Sequence, residues 1–374
     1  MFTATAFPSV MIYLTVMVVF LSCMYLSLHS KQPMVKKIVL LSAILLLTCF
    51  AVMREVSYGV GGTDAITYVR DFMNMRKSLA NYIDFVKVLS LQQREPLYYL
   101  FGWSVRRVTD NYKVYFFLWH FFIVTGFVYA ATKSYKKDSW GVGSVLPLML
   151  LFAGYIHSFN VMRNWLAIAI AMIGLSFLRR ENLKYYFLFL FMAVCIHYST
   201  IVLTLPFLMS KLFKRLDNIK IPLAIFIVVG NMLIYSYISF FSSIFAETKF
   251  SSYMEVQSSW FGYLPILLIA VVGLIFYDDL IKMEPSNKFV LWGVALNATM
   301  FIAYVKIGAY RINDCFVIFR VWLLIELGRL FYNRFKGWKR VSLVYGTNIF
   351  IVAYFLQQLN LLVRTSGIIP YRIG

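Results

Sequence analysis

Charge is what this sequence has least of. Asp, Glu, Lys and Arg supply 14% of its 374 residues, against 61% hydrophobic. That lean supply excludes a water-soluble domain of this length, which needs charged side chains over its exterior. Acids are scarcer than bases, 16 against 36, for a formal net charge of +20. In a soluble chain such an imbalance points to nucleic acid. Here the bases sit beside apolar runs, and no separate basic stretch with interleaved aromatics exists. Nucleic acid is therefore excluded as a partner, and the bases read as loops held on the negative side of a membrane. Cysteine is sparse too. Cys23, Cys49, Cys195 and Cys315 lie in or beside apolar segments, without a CxxC or a Cys/His cluster, which excludes a disulfide framework and a zinc site. No fixed-period repeat or low-complexity tract is evident.

Apolar runs approaching the ~20 residues needed to cross a bilayer are what the chain has in quantity. They predict an all-α polytopic membrane protein, with spans near 7–28, 38–53, 114–131, 142–157, 161–178, 221–242, 261–277, 289–305, 312–332 and 342–363. Phe7 to Leu28 is too long for a signal-peptide core and has no base before it, so it reads as a retained first span. The basic stretches "HSKQPMVKK", "TKSYKKDSW", "RRENLK" and "GRLFYNRFKGWKR" are assigned to the cytoplasmic side. Residues 185–209 are apolar throughout, yet both flanks are basic and call for the same side. This predicts a helical hairpin turning near "IHYS", with His197 at its outer apex. With the hairpin, eleven to twelve crossings are expected in a single integral membrane domain, 1–374, with both termini outside. Residues 54–113 form a long, partly helical outer subdomain within it, too long for a simple connection.

This topology, set from the basic loops alone, delivers the chain's unusual polar residues to one outer face. Arg54, Asp64, Tyr68, Arg70 and Glu95 come from the long outer segment, Arg163 from the outer start of a span, His197 from the apex and Arg311 from a later outer loop. Each has a structural reading. Gly59, Gly61 and Gly62 can supply left-handed turn geometry with Asp64 capping the next helix. Glu95-Pro96 resembles a helix start, and Arg163 and Arg311 can snorkel to lipid headgroups. His120 and His157 read as structure, and Arg320 and Glu326, inside a span, as partners of neighbouring helices. Jointly, several cations with two carboxylates suit an anionic lipid headgroup, because arginine's fork of donors matches pyrophosphate oxygens. A neighbouring carboxylate or imidazole could take a proton from a hydroxyl. Tyr82, Tyr98, Tyr99 and Trp103 offer stacking surfaces for sugar rings or lipid.

"REVSYGVGGTDAITYVRDF", "REPLYYLF", "FNVMRNWLAIAIAMIGLSFL", "CIHYSTIVLTLPF" and "AYRINDCFVIF", in this order, resemble the EpsG-type polysaccharide polymerases, which play the role of the Wzy O-antigen and capsule polymerases. The motif positions fall on Arg54, Gly62-Thr63-Asp64, Tyr68, Glu95-Pro96-Tyr98, Arg163, His197 and Arg311. One departure is Asn164, where many relatives carry Gln. The resemblance implies a GT-C-like membrane glycosyltransferase of a bacterial inner membrane, acting on its outer leaflet. It would move a growing glycan from undecaprenyl pyrophosphate onto a sugar hydroxyl of the next lipid-linked unit, with inversion and without metal or cofactor. Flippase and chain-length-regulator partners are implied as well. Within that expectation Arg163 and Arg311, supported by Arg54, hold the pyrophosphate. Asp64 is the first choice of general base, with His197 and Glu95 behind it, and Tyr68, Arg70 and Tyr98 contact glycan. A ligase using the same donor, or a flippase, are the alternatives.

Overall fold

The computed structural model describes residues 6–58, 60–75, 95–134, 141–212, 220–246, 260–307 and 310–374. Tyr82, Gly59 and residues 135–140 and 213–219 lie outside the described residues. The described residues are helical, without a strand; two isolated backbone bridges are the nearest approach to one. Contacts divide the chain into two compact units. The first comprises Met1–Lys137, Leu148–Ile201 and Phe355–Gly374, the second Asp138–Pro147 and Val202–Tyr354.

In the first unit, α1 (Phe7–His29), α2 (Pro33–Met53), α5 (Tyr112–Ser134), α6 (Met149–His157), α7 (Met162–Leu178) and α8 (Leu183–Ile196) form the bundle. Two short helices, α3 (Ala65–Asn74) and α4 (Pro96–Val108), belong to the 54–113 segment. Lipid offers no hydrophobic drive between helices, so small residues that admit a neighbour's backbone decide which helices meet. Gly126 of α5 does this: a Cβ there would lie 2.7 Å from the Ala169 carbonyl oxygen of α7.

Helix α8 stops where the charge pattern required a turn. His197 is extended (φ −154°, ψ 114°), and its carbonyl, which would otherwise continue the helix, accepts from the Thr200 hydroxyl at 2.8 Å and the Thr200 amide at 3.2 Å. "IHYST" thus carries its own stop signal, a hydroxyl three residues past the break. A 3₁₀ turn, Tyr198–Leu203, leads on to α9 (Thr204–Leu212).

The second unit holds α9, α10 (Lys220–Ala246), α11 (Leu264–Ile275), α12 (Tyr277–Met283), α13 (Asn287–Thr299), α14 (Phe301–Ile307), α15 (Tyr310–Cys315), α16 (Val317–Arg334) and most of α17 (Gly337–Thr365). Two expected continuous spans are broken here, and a third, the 261–277 run, holds as α11 and bends by 70° at its end into α12. The 289–305 run breaks at Met300, where Asn231 of α10 donates to Ala298 O (2.9 Å) and accepts from the Ile302 amide (3.0 Å). The 312–332 run breaks at Phe316, where Arg320 donates to Asn313 Oδ1 at 2.7 Å and to its carbonyl at 3.4 Å. A broken span survives in lipid only if such groups receive the freed backbone. Arg320 therefore partners a neighbouring helix as expected, whereas Glu326 pairs with Arg329 on its own helix at 2.9 Å.

Six described helices are long and apolar enough to cross a membrane, seven with the bent pair, and four shorter apolar helices accompany them. The chain is an all-α polytopic membrane protein. The expected count of eleven to twelve exceeds the full-length helices because several runs are divided, and because α16 carries Arg320, Glu326, Arg329 and Arg334 within an otherwise apolar sequence.

Candidate active site

The site in the first unit is built where three distant segments meet: the start of α4, the first turn of α7 and the end of α8. Glu95 immediately precedes Pro96, which opens α4 as the Glu-Pro pair suggested. Its carboxylate does not cap that helix. One oxygen instead meets Arg163 Nη1 at 2.7 Å and the other meets His197 Nδ1 at 2.5 Å. Glu95 and His197 are buried, while 28% of the Arg163 side chain remains exposed. A carboxylate taken so far from water is tolerable only when paired in this way.

Arg163 occupies the first turn of α7, a position where a cation opposes the helix dipole. Glu95 offsets that repulsion. The guanidinium also lies 5.0 Å from the centre of the Tyr98 ring, and Tyr98 is fully buried edge-on to Tyr68 (6.4 Å), Tyr99 (4.7 Å) and Trp119 (5.4 Å). Burial pushes the Tyr98 phenol well above its ordinary range and raises that of Tyr99, so both remain protonated at neutral pH. Beside them Asn164 accepts from the Ser199 hydroxyl at 3.2 Å, and its buried Nδ2 has no partner among the described residues.

Asp64 is fixed to the same helix start by its backbone. Its amide and the Thr63 hydroxyl both donate to Asn160 Oδ1, at 2.7 and 2.8 Å, three residues before Arg163. Gly61 (φ +79°) and Gly62 (φ +116°) make the left-handed turn expected of them, and a Cβ on Gly62 would sit 2.4 Å from the Phe159 carbonyl oxygen. Asp64 precedes α3 but does not cap it. Its half-buried carboxylate makes no hydrogen bond or ion pair among the described residues. Both acids at helix starts thus decline the structural role that their positions offer. Further along α3, Tyr68 is buried and Arg70 exposed.

Arg54 departs from expectation. It is 2% exposed, and its donors go to the carbonyls of Gly61 (3.0 Å), Phe159 (3.4 Å) and Ala51, with the guanidinium 4.4 Å from the Phe159 ring centre and 5.2 Å from that of Phe116. Three of its five N–H donors thus go to backbone carbonyls, and the side chain is closed off from solvent. A further tie comes from residues 366–374. Glu55 N donates to Arg372 O (2.7 Å), Gly374 N to Met53 O (3.0 Å), Gly62 N to Gly367 O (3.0 Å) and Thr63 N to Ser366 O (3.1 Å). Arg311 lies on α15 of the second unit, 5.8 Å from the ring of its neighbour Tyr310. His120 bonds back to Phe116 O on its own helix, and His157 packs edge-on to Trp165.

Sequence reasoning missed Asn160 and Asp71. Asp71 sits seven residues after Asp64, two turns along the same helix. Burial raises its carboxyl above the usual range, against the opposing charges of Arg70 and Arg163. The signal for Asp71 was this helical spacing. For Asn160 there was none beyond its nearness to Arg163. Among the described residues no group of three His, Cys, Asp or Glu side chains could hold a metal ion.

No curated protein and no solved structure matches the chain. A family match runs over residues 37–373, taking in the GGTD turn, Glu95, the first turn of α7, the His197 break and the 366–373 tie. The chain belongs to the EpsG family, a family of Wzy-like polysaccharide polymerases.

Proposed function

We propose that the protein extends a polysaccharide by transferring a growing glycan from a polyprenyl pyrophosphate, undecaprenyl in a bacterial inner membrane, to a sugar hydroxyl of the next lipid-linked unit on the periplasmic side. The observation that carries this reading is one buried carboxylate, Glu95, bridging a half-open arginine and a histidine. The acceptor oxygen bonds to the anomeric carbon while the bond from that carbon to the pyrophosphate breaks, and the pyrophosphate leaves with the electron pair. Arg163 meets the growing negative charge with donors that Glu95 does not use, aided by the amides of the first turn of α7. The acceptor's proton passes to His197, oriented through Nδ1 by Glu95, so that transfer runs through Nε2.

This revises the order of candidates. Asp64 becomes the group that orients acceptor hydroxyls, and His197 becomes the base, because the Glu95 carboxylate holds its ring. Arg54 positions the GGTD turn and the start of α7. For Arg311 the pyrophosphate role rests on the resemblance alone.

The test is polymerisation by purified protein supplied with a lipid-linked oligosaccharide, read as a ladder of chain lengths. Arg163→Lys, Glu95→Gln and His197→Ala should each leave single units on the carrier. A parent-like ladder from His197→Ala would remove it as base, and ladders from all three would overturn the reading.

A further inference from the structure

A second feature lies in the other unit, with no part in the chemistry above. A groove of about 340 Å³ runs between α11, α16 and α17, walled by Leu268, Phe276, Leu324 and Phe331 and floored along α17 by Ser342 and Gly346. Its lining is almost wholly carbon. At Gly346 a Cβ would meet nothing within 4 Å, so the groove is open there.

One end of the groove is strongly basic. Phe331 and Ser342 both line it, and the ten residues joining them include Arg334, Lys336, Lys339 and Arg340, with no acid. Acids from the neighbouring elements neutralise only part of this charge. Asp279 of α12 takes Arg334, while Glu326 and Glu284 take Arg329, and Asp278 faces Lys220. Lys336, Lys339 and Arg340 are exposed and have no carboxylate partner among the described residues; Arg340 lies 5.0 Å from the Tyr332 ring centre. Between them Trp338 is 82% exposed, a large amphipathic ring of the kind that settles at the level of lipid headgroups. Phe276, packed edge-on to Phe331 at 4.9 Å, marks the junction of the apolar wall and this charged rim.

We infer that this groove is a binding site for an anionic glycerophospholipid, its acyl chain along α17 and its phosphate among Lys336, Lys339 and Arg340. An apolar slot in a membrane protein takes acyl chains of any lipid. The uncompensated cations at one end are what select the headgroup, as basic clusters beside spanning helices do. The polymerase substrate is the other phosphate-bearing lipid the groove could meet, and the test separates the two.

Full-length protein in detergent is titrated with phosphatidylglycerol and with phosphatidylcholine of matched chains, and bound lipid is counted by native mass spectrometry. Phosphatidylglycerol should bind one site at least tenfold more tightly. Gly346→Trp, whose Cβ meets nothing within 4 Å and whose ring occupies the groove floor, should remove that binding step. The triple variant Lys336→Gln, Lys339→Gln, Arg340→Gln keeps the groove and should lower affinity by roughly fivefold per cation, levelling the two lipids. Because these three side chains are exposed, the triple variant carries the test even if Gly346→Trp fails to fold. Equal affinities in the parent, or selectivity that survives the triple variant, would overturn the proposal, as would a polyprenyl monophosphate that displaces phosphatidylglycerol from the site. None of these outcomes depends on polymerase activity, so the two readings fail separately.

Discussion

Two arginines of the first unit, Arg54 and Arg163, look alike in the sequence: each follows or opens a membrane span beside a short polar stretch. In the fold they differ in what takes their donors. Arg54 spends its guanidinium on three backbone carbonyls and two aromatic faces, and is sealed from solvent. Arg163 meets the Glu95 carboxylate, the Tyr98 ring face and the Tyr99 hydroxyl, and stays partly open. Carbonyls are neutral, so Arg54 keeps a whole charge inside the protein for the sake of geometry. Glu95 is itself shared with a histidine, so the Arg163 pair is coupled to a group able to move a proton. The fork that suits arginine to a phosphate also suits it to a loop of carbonyls, and only the neighbours decide.

The comparison breaks most sharply at Glu95. Glu95→Gln keeps the volume but gives His197 and Arg163 a neutral partner, and should lower the polymerisation rate about a thousandfold, the scale of lost general-base catalysis. A rate within a few-fold of the parent would place Glu95 among structural acids. The next effect in size belongs to Arg54. Arg54→Met leaves the carbonyls of Ala51, Gly61 and Phe159 without their donor and should cost about 3 kcal/mol of stability. The yield of folded protein and its thermal midpoint should fall, while the folded fraction keeps the parent's apparent affinity for lipid-linked donor. A selective loss of donor affinity with unchanged stability would return Arg54 to the pyrophosphate.

Much of this was legible in the sequence, for definite reasons. Apolar runs of span length located α1, α2, α5, α7, α10 and α17, because a bilayer tolerates little else. The stop at His197 was readable from two basic flanks that needed the same side, a constraint on the whole run rather than on any one residue. The breaks at Met300 and Phe316 left no such trace. Each depends on one amide or guanidinium from elsewhere, Asn231 or Arg320, receiving freed backbone groups, and hydropathy is blind to that. Glu95, Arg163, His197 and Asp64 were all named from their motifs, but not who holds whom, and Asn160 and Asp71 were not named at all. Glu95 as a shared partner, Arg54 as a bracket and Asn160 as the clasp on Thr63 and Asp64 follow from long-range packing. The tie made by residues 366–374 was invisible for the same reason, since backbone hydrogen bonds carry no side-chain signature.

The turn that joins the two arginine regions supplies a smaller test. Gly62→Ala meets two penalties together: a left-handed φ of +116° and a Cβ 2.4 Å from Phe159 O, the carbonyl that Arg54 also uses. About 2 kcal/mol of destabilisation is expected. If the turn's purpose is to bring Asp64 to the start of α7, activity should fall further than the folded fraction does. Equal losses would reduce the GGTD turn to architecture.

The smallest effect is expected at Asp71, and its sign is the informative part. Burial raises this carboxyl's pKa despite Arg70 and Arg163, so the folded protein binds the proton more tightly than the unfolded chain does. The stabilising contribution is then fully present below the ordinary carboxylate range and is lost as pH rises through the raised value. Asp71→Asn, which mimics the protonated form, should therefore lift the thermal midpoint slightly at neutral pH and leave it unchanged in acid. If Asp71 is instead a working counter-charge to Arg163, the same substitution lowers the midpoint at neutral pH. In that case Glu95 would no longer be the sole acid steering Arg163, and the contrast with Arg54 would rest on two carboxylates instead of one.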